Sequence, residues 1–171
     1  TLTALAISVD IPNTIKGTGR LEMNDTGFAG QIDISLPAVK LRIAAGLGIA
    51  NLEDEETGRT ATGLYLSMRV ELPTGIPLGG TGFGIVGFLG LFAMHYKRKE
   101  PQGTNDKALR WLKDVVQGDP TNILGWGPNI DSWAFGGGLL LGTLEGAYVV
   151  RMTGMLVLEL PGPRLIFFLR A

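Results

Sequence analysis

The sequence contains no cysteine and one histidine, His95. Without thiols, the chain can form no disulfide, no thiolate metal ligand and no cysteine nucleophile. A single imidazole excludes a two-histidine metal site, and no serine or carboxylate forms a recognisable catalytic motif with His95. The sequence therefore predicts no catalytic residue and no metal ligand, and we expect a protein that is not an enzyme.

Charged residues are also scarce. They make up 18% of the chain, compared with about 25% in typical soluble domains. The 15 basic and 16 acidic residues nearly cancel, whereas nucleic-acid binding depends on an excess of basic side chains that neutralise phosphates. Nucleic acid is therefore not an expected partner. The carboxylates of residues 53–56 lack the alternating spacing of a calcium loop and predict a solvated hairpin loop.

Glycine is abundant, at 26 of 171 residues, about twice the usual ~7%. One glycine cluster, residues 82–87, matches the GxGxxG pattern of dinucleotide-binding proteins. That motif works only between a strand and a helix, with an acidic residue about 20 positions further on. Here the preceding strand pattern ends at Leu72, and Gly90 interrupts the would-be helix. We therefore predict no bound cofactor.

Residues 72–94 carry no charge and are followed by a basic segment, which resembles a transmembrane helix with a cytoplasmic flank. Pro73, Pro77 and the many glycines make a poor helix. The uninterrupted apolar part is also shorter than the ~20 residues that a spanning helix needs. We predict a glycine-rich pair of strands buried on both faces, and we do not expect the chain to span a membrane.

Elsewhere, apolar residues alternate with polar or small ones, the period of a β-strand with one wet face. The pattern covers residues 5–11, 15–23, 28–36, 39–43 and 64–72. Four of the apolar runs end in proline, at Pro12, Pro37, Pro73 and Pro161. Because proline cannot donate to the hydrogen-bond ladder, it is typical of strand ends. We predict an antiparallel sheet in which these four ends lie along one rim, with the apolar side chains turned inward.

Residues 104–118 break the β pattern and predict one amphipathic helix, with Thr104 or Asn105 as cap and Gly118 at its end. It lies in an insertion over residues 96–132 that includes Trp111 and Trp126, with Trp133 just after. The predicted fold is one mainly β domain over residues 1–171, a curved antiparallel sheet of six to nine strands, half-barrel or sandwich. The helix covers an open face or mouth of the sheet.

Two apolar segments, residues 79–93 and 133–142, are rich in glycine. The missing side chains leave space beside the backbone that another group is expected to fill. A helix or strand of the same protein is one candidate. An apolar ligand or a stacked copy of the domain is the other, and the residues that would form this contact surface are Phe83, Gly84, Ile85, Phe88, Gly138, Leu139 and Leu141.

Residues 71–95 and 133–164 resemble an uncharacterised domain family of very large, β-rich, mostly bacterial proteins. The matching features are Pro77-Leu78-Gly79-Gly80-Thr81-Gly82, Trp133-x-Phe135-Gly136, Leu141-Gly142-Thr143 and Leu160-Pro161-Gly162-Pro163-Arg164. The family carries no activity that transfers to particular residues. The resemblance implies a structural or binding role within a longer chain.

We therefore expect a non-enzymatic scaffold or assembly module whose apolar, glycine-rich sheet contacts the rest of a larger polypeptide or copies of itself. The alternative is a groove that binds or carries lipid or another apolar molecule, and an enzyme of unknown type is the third hypothesis. Because the chain begins and ends within strand-like patterns, we expect it to be a piece of a longer polypeptide.

Overall fold

A computed structural model describes residues 3–54, 57–99, 121–144 and 150–171 of the chain. These residues form nine strands and two three-residue 3₁₀ helices, Pro37–Val39 and Ile123–Gly125. The strands are β1 (Ala4–Ile11), β2 (Ile15–Asn24), β3 (Gly27–Leu36), β4 (Leu41–Glu53), β5 (Thr60–Pro77), β6 (Phe83–Arg98), β7 (Trp126–Thr143), β8 (Arg151–Leu160) and β9 (Arg164–Arg170).

The strands pair in chain order into one antiparallel sheet, with β1 and β9 at its two edges. Four of the five alternating segments lie within these strands, and the fifth, 39–43, enters β4 only at Leu41 because Val39 belongs to a 3₁₀ helix. The mainly β, antiparallel fold is thus confirmed. Local turn chemistry sets several of the boundaries. The Asn24 carboxamide oxygen, for example, accepts a hydrogen bond of 3.0 Å from Thr26 N–H at the turn between β2 and β3. The described residues form an open curved sheet and not a two-layer sandwich.

The prediction that four prolines stop strands at one rim is wrong in two respects. Pro12, Pro37 and Pro161 directly follow the last residues of β1, β3 and β8. Pro73 lies inside β5, where the register with β6 shifts between Glu71 and Ile76, so this proline occupies an irregularity and not an end. Because β8 runs opposite to β1, β3 and β5, Pro161 lies at the other rim.

The uncharged stretch around residues 79–94 is mostly strand. Gly79 and Gly82 have positive φ angles of 62° and 75° in the turn before β6, and the residues after the GxGxxG pattern form a strand and not a phosphate-binding helix. No helix in the described ranges is long and apolar enough to cross a membrane. The predicted helix over 104–118 lies outside the described residues, and both ends of the predicted insertion, 96–98 and 126–132, belong to β6 and β7.

The sheet curves towards the face that carries most of its polar residues, and the core lies on that face. Side chains of strands that are not neighbours meet there. Arg151 of β8 lies 3.7 Å from Glu71 of β5, and the Arg98 guanidinium of β6 lies 4.4 Å from the ring centre of Phe168 in β9. The largest fully buried side chains, Tyr65, Met155 and Val157, belong to this same face. We call it the inner face.

The orientation of the sheet is therefore the reverse of the one expected from the sequence. The polar side of the alternation in β1–β5 faces the inside of the curve, and the apolar side faces outward. β6 and β7 are likewise not buried on both faces. Their inner-face residues Leu89, Leu91 and Leu140 are buried, whereas the outward-facing Phe88 and Phe135 are exposed.

The segment before β7 packs against the inner face. Ser67 Oγ donates a 2.7 Å hydrogen bond to the Thr121 carbonyl oxygen, and Ile123 is buried against β4. A Cβ built on Gly48 would come within 2.4 Å of Ile123 Cδ1, so this close approach requires glycine. The ring centres of Tyr65 and Trp126 lie 5.8 Å apart beside this segment. Part of the predicted insertion thus covers the inner face.

Candidate functional site

Among the described residues, the outward side of the sheet is a continuous surface whose one polar side-chain group between the rims is the indole N–H of Trp133. Its members follow from the register, because directly paired residues of an antiparallel sheet project from the same face. This apolar face comprises Leu5, Ile7, Val9, Ile11, Ile15, Gly17, Gly19, Leu21, Met23, Phe28, Gly30, Ile32, Ile34, Leu36, Leu41, Ile43, Ala45, Leu47, Ile49, Leu64, Leu66, Met68, Val70, Phe88, Gly90, Phe92, Met94, Trp133, Phe135, Gly137, Leu139, Leu141, Met152, Gly154, Leu156, Leu158, Leu160, Leu165, Phe167 and Leu169.

Much of the apolar face is open to solvent in the described structure. Ile7 is 56% exposed, Leu66 47% and Phe167 59%, although they lie on an edge strand, a central strand and the opposite edge strand. Single exposed apolar residues are normal on proteins, whereas a contiguous exposed patch marks a contact surface. The exposure extends across the whole sheet, from β1 to β9.

The dimensions of the apolar face follow from strand geometry. From Leu41 to Ile49 in β4, eight steps of about 3.3 Å give an apolar height of about 26 Å. Nine strands about 4.8 Å apart give a width of about 38 Å. The resulting area of about 1,000 Å² exceeds the largest apolar patch of a typical monomer, about 300–600 Å².

Polar residues bound the apolar face at both rims. At one rim, the face continues from Ile49 to Asn51 and Glu53 on β4, paired with Thr62 and Thr60 on β5. At the other rim, Lys40 and Asn13 occupy connecting turns with positive φ angles of 53° and 58°. The apolar residues thus form a band between two polar borders.

The predicted contact residues divide between the two faces. Phe88 pairs with Leu139, and Ile85 pairs with Leu141, on the outward side. Phe83 extends the same row, opposite Thr143.

Gly84 and Gly138 lie on the inner face. A Cβ on Gly84 would come within 2.8 Å of Ile76 O, and one on Gly138 within 2.5 Å of Gly154 O. The chain itself fills the space beside these two glycines, so neither belongs to a surface for another copy or a ligand.

Two other glycines leave a gap in the apolar face. Gly90 and Gly137 are directly paired in β6 and β7, and a Cβ on either would meet no atom within 4 Å. The Phe88–Leu139 pair borders the gap on one side. The Phe92–Phe135 pair, with ring centres 5.4 Å apart, borders it on the other. Gly90 and Gly137 therefore leave a shallow depression in an outward-curving surface, and the groove for an apolar ligand stays a prediction.

The inner face of β3–β5 carries a network of ion pairs. Arg42 Nε and Nη2 donate to the two Asp33 carboxylate oxygens at 3.0 and 2.6 Å. This bidentate hydrogen bond lowers the pKa of Asp33, against a smaller opposing effect of burial, and it raises the pKa of Arg42. Glu71 accepts from Arg69 at 3.1 Å and lies 3.7 Å from Arg151. Each of the three arginines of this network thus lies next to a carboxylate of the same face, Asp33 or Glu71.

A cavity of about 670 Å³ lies beside this network, lined by polar groups of β1–β5 and by Thr121 and Asn122. Among the described residues, no three His, Asp or Glu side chains come together as a metal site. The Tyr96 hydroxyl lies in the nearby core, where burial raises its pKa. The inner side of the sheet is therefore a trough lined partly by paired charged side chains, next to a packed apolar core.

Arg164 pairs with Glu159 at 2.5 Å, and Arg151 lies 3.7 Å from Glu71. His95 is at a β-bulge with a φ angle of 57°, where Nδ1 contacts the Ile130 carbonyl oxygen and the ring packs against Trp133. Through these contacts, His95 links β6 to β7 at the bulge.

Sequence reasoning missed both the outward orientation of the apolar face and the inner network. The signal for the network was present, since Arg69 and Glu71 stand two residues apart on the polar side of one strand pattern. The register was needed to place Arg42 and Asp33 beside them. The apolar face was visible strand by strand, but alternation alone does not say which side faces out.

Comparisons with known proteins add no relative: no family model, no curated protein and no solved structure matches the chain. The resemblance to an uncharacterised family of large β-rich proteins therefore stays a prediction. We infer the function from the geometry of the apolar face and the inner face.

Proposed function

We propose that the protein is a non-enzymatic lipid-contacting sheet, whose apolar face lies against the hydrocarbon core of a bilayer. The observation that carries this proposal is the continuous apolar band across all nine strands. Much of this band is exposed, and the indole of Trp133 near one border is its one polar side-chain group among the described residues. Leaving such an area in water is costly, at roughly 25 cal/mol for each Å² of apolar surface. Hydrocarbon covers the apolar face without requiring any hydrogen bond from it.

The composition of the face supports hydrocarbon over a protein partner. Even the buried cores of protein–protein interfaces are only about 65% apolar by area, and typical interfaces carry about ten direct hydrogen bonds. The apolar face offers no side-chain donor or acceptor between its rims apart from the indole of Trp133 near one border. Indole side chains are enriched at the boundary between hydrocarbon and water.

The shape of the face also supports hydrocarbon. Two outward-curving surfaces touch only along a narrow strip. A second copy stacked on the apolar face would therefore leave most of the band uncovered. Fluid acyl chains follow any curvature, and they can fill the depression at Gly90 and Gly137. The apolar row of β4 from Leu41 to Ile49 spans nine residues, which lies within the range of about 9–11 residues that a tilted strand needs to cross the hydrocarbon core.

The scaffold role expected from the sequence stays a prediction. It requires a concave apolar partner that covers the band, such as another part of a larger polypeptide. The lipid contact expected from the sequence is retained, but it lies on the outer surface of the sheet and not in an enclosed groove. Phe88, Leu139 and Leu141 act as part of a broad outer surface rather than as the lining of an enclosed groove.

Tryptophan fluorescence offers a direct test, because Trp133 lies on the apolar face and Trp126 is buried in the core. Neutral phosphatidylcholine vesicles with brominated acyl chains quench an indole that contacts hydrocarbon. We expect the protein to float with these vesicles and its emission to be quenched. In a Trp111→Phe background, which removes the third tryptophan, Trp133→Phe should remove most of the quenching, whereas Trp126→Phe should preserve it. The proposal fails if the protein stays unbound, or if quenching survives Trp133→Phe unchanged.

A further inference from the structure

The outer edge of β1 offers a row of backbone groups for pairing with another strand. Met23 N–H donates to the Thr3 carbonyl oxygen at 3.0 Å, and the β1–β2 register continues without a break to Ile11 and Ile15. In an antiparallel pair, hydrogen-bonded and non-hydrogen-bonded positions alternate. The odd-numbered residues of β1 therefore bond to β2. The N–H and C=O groups of Ala4, Ala6, Ser8 and Asp10 point away from the sheet.

Nothing in β1 itself discourages pairing at this edge. Natural edge strands are usually protected by bulges, prolines or charged side chains. β1 has eight residues in unbroken register, no proline, and one charged residue, Asp10, which lies 3.4 Å from Lys16. The other edge strand, β9, begins and ends with arginine. In the described part of the chain, no strand lies on the outer side of β1.

The sequence of β1 is complementary to itself when two copies run antiparallel. A two-fold axis normal to the sheet at Ile7 sets Ala6 opposite Ser8 of the other copy, and Ala4 opposite Asp10. All four outward-pointing residues then fall at hydrogen-bonded positions, and the two aspartates avoid each other. This rotation keeps each face on its own side, so Ile7 meets Ile7, and Leu5 meets Val9, on the apolar face.

From this geometry we propose that two copies of the protein pair through β1 and form one continuous 18-stranded sheet centred on Ile7. The partner is a second copy because the register that satisfies every free edge group also matches apolar with apolar residues and separates like charges. Such a contact is isologous, the form that closes on itself. The inference rests on the edge of the sheet and does not require that the apolar face binds lipid.

The absence of native cysteine makes disulfide trapping specific. In the proposed register the two Ile7 residues form a non-hydrogen-bonded pair with a Cα–Cα distance of about 4.5 Å, within the disulfide range of about 4.4–6.8 Å. The two Val9 residues would be about 13 Å apart, since four residue steps separate them. We expect Ile7→Cys to give a covalent dimer under mild oxidation, and Val9→Cys to remain mostly monomeric on a non-reducing gel.

Proline at residue 8 supplies the second arm of the test. The Ser8 N–H faces the open edge, so Ser8→Pro removes a donor to the partner without removing one to β2. In the Ile7→Cys background it should reduce cross-linking at least tenfold while circular dichroism shows a folded sheet. The pairing is overturned if Val9→Cys cross-links as fast as Ile7→Cys, if Ile7→Cys gives no dimer, or if Ser8→Pro leaves the dimer yield unchanged in a folded protein.

Discussion

An arginine placed in the middle of the apolar face should weaken lipid binding strongly, and the same arginine at the border should not. Leu66 lies on β5 between Leu47 and Phe92 and is 47% exposed, so Leu66→Arg disturbs no buried packing. Thr62 lies on the same strand and face, four residues nearer the rim, and is also exposed. The two substitutions therefore add the same charge to the same surface at different depths.

The expected magnitude follows from the cost of charge in hydrocarbon. On the lipid-facing side of membrane-embedded sheets, arginine costs about 2–4 kcal/mol at the midplane and about 0–1 kcal/mol near the interface. At about 1.4 kcal/mol for each factor of ten, Leu66→Arg should lower the partition coefficient into neutral vesicles about 30-fold to 700-fold. Thr62→Arg should lower it by about fivefold at most.

Flotation of each variant over a range of phosphatidylcholine concentrations measures these partition coefficients. Urea unfolding in the absence of lipid serves as the stability control, and both variants should unfold close to the wild type. Equal loss of binding in the two variants would refute the reasoning, because it would mean that added charge, and not depth on the face, matters. Unchanged binding of Leu66→Arg would refute it as well.

Two further predictions concern the inner face. Because Arg42 lowers the pKa of Asp33 in the folded protein, the carboxylate stabilises the fold above its unfolded pKa, and this contribution is lost as pH falls through the folded value. The stability advantage of the wild type over Asp33→Asn in urea titrations should therefore shrink as the pH falls below 3.8, the ordinary pKa of aspartate, and disappear once the pH is below the lowered folded pKa. An advantage that stays constant as the pH falls through this range would contradict this role. Gly138→Ala should destabilise the sheet by about 1–3 kcal/mol, because its Cβ meets the Gly154 carbonyl oxygen. Gly137→Ala, with open space beside it, should be close to neutral, and urea midpoints that fall equally in both would contradict this difference.

The strands were predictable from the sequence because strand alternation is a local property. The pattern over residues 28–36 reappears as β3, Gly27–Leu36, with Phe28, Ile32 and Ile34 on one side. Pairing in chain order follows from short turns between most successive strands, whereas β6 and β7 pair although residues 99–125 separate them. Pro73 shows where local reasoning fails. A proline can end a strand or occupy an irregularity within one, and the shift between Glu71 and Ile76 depends on how β5 meets β6.

The candidate site was harder to predict, since alternation shows that two faces differ but not which one water or protein covers. Here small residues let other groups of the chain pack on one of the two faces. Gly46 and Gly48 allow Ser67 and Ile123 to approach the inner face, where a Cβ would lie within 2.8 and 2.4 Å of them. These contacts join residues far apart in the chain. No pattern within one strand could therefore reveal that the apolar side is the outer side.

The two proposals constrain each other through the backbone. A sheet edge that meets hydrocarbon exposes N–H and C=O groups, and each unsatisfied group costs several kcal/mol there. The apolar face of β1, at Ile7 and Val9, lies beside outward-pointing groups of Ala6 and Ser8, so hydrocarbon cannot reach one without approaching the other. Pairing two β1 strands removes these groups from lipid while it joins the two apolar faces. In a single copy with an open β1 edge, the cost of desolvating the backbone groups would offset part of the free energy that the apolar side chains gain in lipid. Edge pairing before or during insertion is therefore the favourable order.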